Sequence, residues 1–164
     1  MWNHVKEVFK WIGFLILCFV LWLVMLFLVG HFQTIIPFVI CFVGVFPILE
    51  EWFKSNHSNT WFKAHLFGLL EFLFVAFAVM VATKVPMDQR ISIITAKIMS
   101  MVMHFATGMM YYKYGNSIKV FLYGSGLHML FNAIIRYAHI QHFEIVLFVP
   151  YMLLYISNYF VKQK

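Results

Sequence analysis

Apolar residues fall in six long runs separated by short polar stretches, and each run approaches the length that a bilayer demands. A hydrocarbon core about 30 Å thick is crossed by roughly 20 apolar residues in helical conformation. The first run, Trp11 to Val29, carries no charge, and the second begins at Ile35 and stays apolar as far as Leu49. The third covers Leu66 to Thr83, the fourth Ile91 to Tyr112, the fifth Val120 to Ala138 and the sixth Ile145 to Val161. The pattern predicts an all-α, polytopic membrane helix bundle of about six transmembrane helices, forming a single transmembrane domain over residues 1–164. Between the runs, Ser55-Asn56-His57-Ser58-Asn59, Pro86-Met87-Asp88 and Gly115-Asn116-Ser117 read as connectors, because their residue types favour turns.

Composition agrees with the pattern. Hydrophobic residues make up 63% of the chain and charged ones 11%, against about 25% charged in soluble domains. The first run is too long and bulky for a cleaved secretory signal and reads as a retained helix. Cys18 and Cys41 both lie within apolar runs, where a thiol serves as a small hydrophobe. The net charge of +6 does not mark a nucleic-acid partner, since the lysines are scattered over helix ends and form no stripe. Their distribution instead indicates orientation. Eight lysines (Lys6, Lys10, Lys54, Lys63, Lys113, Lys119, Lys162 and Lys164) fall on one side of a six-helix topology, and Lys84, Arg90, Lys97 and Arg136 fall on or near the other. Basic residues favour cytoplasmic loops, which places both termini in the cytoplasm.

Ionisable residues within spanning helices cost roughly 2.5–3.5 kcal/mol each on insertion scales, so each needs a partner or a function. Here they are Glu50, Glu51, Glu71, Lys97, His104 and His128, with Asn132 one turn beyond His128. The second run reaches Glu50 after only 15 positions, so a full span carries Glu50 and Glu51 to the membrane edge or below it. At about 1.5 Å per residue, Glu71, His104 and His128 lie roughly 12–15 Å deep from the same side. Four helices thus offer polar groups to one layer, which predicts a shared pocket. Structural explanations stand beside this one. Glu50 and Lys54 can pair across one turn of an interfacial helix end with Trp52 in the aromatic belt, and Glu71 can pair with Lys97. A lone buried histidine can simply satisfy a helix–helix hydrogen bond, and His31, His57, His139 and His142 are placed in connectors.

The chemistry of the set is that of water activation. Adjacent carboxylates in a low dielectric supply a general base or acid, and Glu71 with His104 and His128 could hold a divalent metal such as zinc with a position open for water. Phe46-Pro47-Ile48-Leu49-Glu50-Glu51-Trp52-Phe53-Lys54 resembles the Glu-Glu-x-x-Lys first motif of PrsW-type intramembrane proteases, relatives of the type II CAAX prenyl endopeptidases and bacteriocin-processing proteins. Phe67-Gly68-Leu69-Leu70-Glu71 is similar to their Phe-x-x-x-Glu second motif, His104-Phe105-Ala106-Thr107-Gly108 to the third, and His128-Met129-Leu130-Phe131-Asn132 to the His-x-x-x-Asn fourth, so the motif-bearing core spans residues 46–132. Ser55 stands where the CAAX branch has arginine, which argues against a prenylated substrate.

The resemblance implies an endopeptidase in a bacterial or archaeal cell membrane, surrounded by lipid and cutting a membrane protein or peptide. Glu50 or Glu51 would activate water, His104 and His128 would ligate a metal or stabilise the oxyanion, and Asn132 would assist, with Lys54 and Glu71 supporting. Both a metalloprotease and a glutamate-dependent hydrolase fit this pattern. A rhomboid-type serine mechanism through Gly124-Ser125-Gly126 lacks a histidine on the sixth helix, and Ser125 reads as helix packing. The competing class is a transporter or immunity-type binding protein using the same groups for protons or a cation. It would need a polar path to both membrane faces.

Overall fold

A computed structural model of the chain describes residues 2–82, 86–137 and 143–161. Thr83, Lys84, Ala138, His139, His142, Lys162 and Lys164 lie outside the described residues. Six helices follow one another, with no strand among the described residues: α1 Trp2–Phe32, α2 Ile36–His57, α3 Trp61–Ala82, α4 Met87–Tyr114, α5 Ile118–Tyr137 and α6 Phe143–Phe160. Among the described residues four segments are long and apolar enough to cross a membrane, namely Val5–Phe32, Ile36–His57, Ile91–Tyr114 and Ile118–Ile135, and Leu147–Phe160 is a shorter apolar helix. The chain is an all-α membrane protein.

Helix ends extend beyond the apolar runs, and the polar residues beside them show why. Ser55 Oγ and Asn56 Nδ2 both donate to the Trp52 carbonyl, at 2.8 and 2.7 Å, so these residues finish the last turn of α2 and do not open a loop. Side chains of this type bond back to carbonyls of the preceding turn and so remain part of the helix. His57 is likewise not a connector residue: it closes α2, its Nδ1–H donating to the Phe53 carbonyl at 2.8 Å and its ring stacked on Phe53. His31 belongs to α1, stacked on Phe27 in its final turn, and the helix stops only where Gln33 takes a positive φ. Met87 and Asp88 are helical too, with Pro86 in the N-cap position of α4. Gly115-Asn116-Ser117 is a true connector, with Gly115 at φ 74° closing α4.

Within α2 the segment Ile40–Val45 is π-helical, and the Phe46 amide reaches back to the Cys41 carbonyl. Pro47 accounts for this local widening, because it has no N–H to donate and its ring crowds the carbonyl four residues earlier.

The chain divides into two compact units, Met1–Leu49 and Glu50–Lys164. The first contains α1 and the start of α2, and it exposes large apolar side chains such as Phe9, Phe19 and Phe27. The second is organised on α4, which packs against α3, α5 and α6. Met99, Val102, Met103 and Ala106 of α4 meet Phe131 of α5 and Leu147 and Tyr151 of α6 in a buried core. His65 ties α3 to α6: its Nδ1–H donates to the Trp61 carbonyl at 2.7 Å, leaving Nε2 to accept from the Tyr155 hydroxyl at 3.0 Å.

The approach of α3 to α4 depends on glycine. A Cβ at Gly108 would run into the backbone carbonyl of Ala64, and one at Gly68 would enter the Phe105 ring. Backbones packed this closely exchange van der Waals contact for side-chain bulk, as is common between membrane helices. Gly108→Ala is therefore expected to destabilise the protein by about 1–3 kcal/mol or more, since the obstacle is a backbone atom that cannot rotate away. Thermal unfolding of the purified variant in detergent checks this, with Gly13→Ala, where a Cβ meets nothing within 4 Å, as the comparison.

Candidate functional site

The second unit encloses a polar cluster assembled from four helices. Glu50, Glu51 and Lys54 come from α2, Glu71 from α3, His104 and Thr107 from α4, and His128 and Asn132 from α5. Glu51, Lys54, His104, Thr107, His128 and Asn132 are buried, whereas Glu50 keeps 25% of its side chain exposed. Helical spacing brings them together: Glu51 to Lys54 is i to i+3, His104 to Thr107 is i to i+3 and His128 to Asn132 is i to i+4, each a same-face pair.

At the centre lies the Lys54 ammonium. It donates to Glu51 Oε1 at 2.5 Å, to His104 Nδ1 at 2.6 Å and to Thr107 Oγ1 at 3.1 Å, which uses its three donors. The sequence offered Glu50 as the partner of Lys54 across one helix turn. Instead Lys54 turns to Glu51, because the inward face of α2 carries Glu51 and Lys54 together while Glu50 sits at its edge. Glu51 Oε1 also receives a hydrogen bond from His128 Nδ1 at 3.0 Å and a longer one from Thr107 Oγ1 at 3.4 Å.

These contacts fix what each imidazole shows to the other side. An ammonium has no lone pair, so His104 Nδ1 accepts and its remaining proton sits on Nε2. A carboxylate has no proton to give, so His128 Nδ1 donates and its Nε2 carries a lone pair. The two rings stand nearly perpendicular, 87° apart with centroids separated by 5.1 Å. Each Nε2 lies 3.8 Å from Glu50 Oε2, and His104 Nε2 is 3.7 Å from Glu71 Oε1. Such separations are too long for direct hydrogen bonds and match a gap that one water bridges.

Glu50, His104 and His128 could hold a metal ion, their ligand atoms lying within 4.8 Å of one another. His128 is prepared for that role, since a ligating histidine commonly donates its other N–H to a carboxylate. His104 presents N–H in the arrangement described, and it would offer a lone pair only with the proton moved to Nδ1 and Lys54 accepting. Glu71, named from the sequence with the two histidines, approaches His104 alone and is bound at 3.4 Å by Lys97, the pairing that the sequence also allowed.

Of the residues named from the sequence, Glu50, Glu51, Lys54, Glu71, His104 and His128 meet in this cluster, and Asn132 lies buried one turn from His128 on α5. Two participants were not singled out beforehand, Thr107 and Tyr111. They follow His104 by three and seven positions, so the signal available was their place on its helix face. Tyr111 is 2% exposed, and its hydroxyl lies beside the Glu51 carboxylate and against Gly124. Neither that hydroxyl nor Glu51 Oε2 reaches hydrogen-bond geometry with another described atom.

Compared with known proteins, the chain matches no family model, no curated protein and no solved structure.

Removing the ammonium would leave Glu51 as a fully buried carboxylate without its counter-charge. Lys54→Met is expected to lose about 3–5 kcal/mol of stability, and Lys54→Met combined with Glu51→Leu is expected to recover much of it. A double-mutant cycle on unfolding in detergent reads both values.

Proposed function

We propose that the protein is an intramembrane endopeptidase that hydrolyses a peptide bond in a membrane-spanning protein or peptide with water activated by glutamate and histidine. The observation that carries this reading is the convergence of Glu50 Oε2, His104 Nε2 and His128 Nε2, from three helices, on one gap of bridging-water size. The order of the four motifs, which resembles that of the PrsW-type proteases, supports it independently.

Each group then has a task that its surroundings suit. A water in the gap donates one hydrogen bond to Glu50 and another to the lone pair on His128 Nε2. As its oxygen attacks the carbonyl carbon of the substrate, Glu50 takes the proton, and the same proton is later delivered to the leaving amine. His104 Nε2–H points to where the oxyanion forms and donates to it. Glu51 and Lys54 do not meet the substrate. They hold His128 and His104 in opposite tautomers, so that one nitrogen accepts and the other donates. Glu71 and Lys97 form a pair behind His104, and Asn132 supports the α5 side.

A divalent cation such as zinc would be held by Glu50, His104 and His128, and it would supply acidity to a bound water and polarisation to the carbonyl. The surplus of lysines beside the ends of α2, α4 and the start of α5 supports placing this end of the second unit, and both chain termini, on the cytoplasmic side.

Glu50→Gln and His128→Ala are each expected to lower cleavage of single-span substrates by roughly 10²–10⁴-fold, with the protein still folded. The assay uses purified protein in detergent or liposomes, and sensitivity to a chelator separates the metal-assisted from the metal-free version. If the wild type cleaves nothing, and the same substitutions instead abolish proton or cation flux into liposomes, the cluster serves transport and the peptidase reading is wrong.

A further inference from the structure

Where α2 ends at His57 and α4 ends at Tyr114, the second unit holds a cavity of about 380 Å³. Its wall is mixed, with uncharged polar groups set among the side chains of Tyr111, Tyr112 and Tyr114. Ser55, Ser58 and Asn59 line one side, Tyr111, Lys113 and Asn116 the other, and none of the described lining residues is a carboxylate. Asn116 Nδ2 donates to Asn56 Oδ1 at 2.8 Å, joining the two sides at the rim. Among the described lining residues the charged one is Lys113, which lies over the ring of its neighbour Tyr112 at 5.4 Å. The C-termini of two helices add backbone carbonyls that have no partner further along the helix.

Amides, hydroxyls and carbonyls in this mixture offer donors and acceptors in similar measure and little charge. That is the chemistry of a polypeptide main chain, which presents one N–H and one C=O per residue. The volume falls in the range of roughly 300–1,000 Å³ typical of ligand sites.

Tyr111 belongs to both this cavity and the surroundings of the buried cluster. Tyr111 lines it, and the hydroxyl of Tyr111 lies beside the Glu51 carboxylate without hydrogen-bonding to it. Ser125, next to the Gly124 on which that hydroxyl rests, is buried with its own Oγ unpartnered. Glu51, Tyr111 and Ser125 each keep a buried side-chain oxygen that makes no hydrogen bond to another described atom, so polar capacity is left over in this region. Glu51 stands six residues from the end of α2, or roughly 9 Å along the helix axis, a distance that about three extended residues span.

We propose that this cavity binds the hydrophilic flank of a polypeptide substrate by its main chain, with Tyr111 forming the boundary between the solvated cavity and the membrane-embedded cluster. The assignment of the occupant as substrate rests on the peptidase reading, whereas the binding of an uncharged, extended main chain does not.

The test replaces Cys18 and Cys41 with serine, introduces Ser58→Cys on a Glu50→Gln background to prevent turnover, and follows modification of the new thiol by a negatively charged thiosulfonate in detergent. The probes are a single-span peptide with a hydrophilic flank and the same span without it. The flanked peptide is expected to slow modification by an order of magnitude and the flankless one to leave it unchanged. Equal protection by both peptides, or by neither, overturns the proposal. Asn59→Cys serves the same purpose if Ser58→Cys does not fold. Protection without any cleavage by the wild-type protein retains the main-chain site and removes the peptidase reading, while cleavage without protection does the reverse.

Discussion

A single buried ammonium organises the polar interior of this protein. Lys54 is 1% exposed in a chain whose helices are built for hydrocarbon, and a cation in that setting is costly unless it is fully paired. The pairing is complete: a carboxylate on its own helix, and an imidazole nitrogen and a threonine hydroxyl from α4. Because all three donors are committed, α2 and α4 have little freedom to slide or rotate against each other in this region. Glu51, thus oriented, fixes His128 of α5 in turn. One charge therefore positions three helices and assigns the two histidines opposite roles.

Such a network needs close helix approach, and the small residues provide it. Gly108 lets the α4 backbone come against the Ala64 carbonyl of α3, and Gly68 leaves room for Phe105, the residue following His104. Without that approach Glu71 could not stand 3.7 Å from His104 Nε2. Packing and chemistry are thus linked through the same helix face. Methionines fill the remainder of the α4 interface, where Met99 and Met103 join the aromatic rings of α5 and α6 in the core. Their flexible side chains suit an irregular gap between helices.

Glu50 and Glu51 illustrate how neighbouring residues of one type acquire different properties. Successive positions on a helix point about 100° apart, so one carboxylate turns inward to Lys54 and the other remains at the cluster's edge, a quarter exposed, beside both Nε2 atoms. The inward one is locked by three donors and holds its neighbours in place, while the outer one is left to act on whatever enters the gap.

Membrane residence, helical class and the six helices were legible in the sequence, because a bilayer imposes length and hydrophobicity on each crossing independently of the others. The gathering of Glu50, Glu51, Glu71, His104 and His128 was legible as well, since position along a helix of known rise predicts which residues of neighbouring helices can meet. Helix ends were not, because Ser55, Asn56 and His57 turn back to bond carbonyls of the same helix, where turn propensity alone suggested a loop. Which glutamate pairs with Lys54 was also undetermined: Glu51 at i−3 and Glu50 at i−4 are equally neighbours on an isolated helix. Only the arrival of His104 and Thr107 from α4 on one side and His128 from α5 on the other decided the pairing. The recruitment of Tyr111 depended in the same way on contacts between helices. Composition and periodicity are properties of single segments, whereas tautomers, ion-pair partners and the shape of a cavity belong to the space between them.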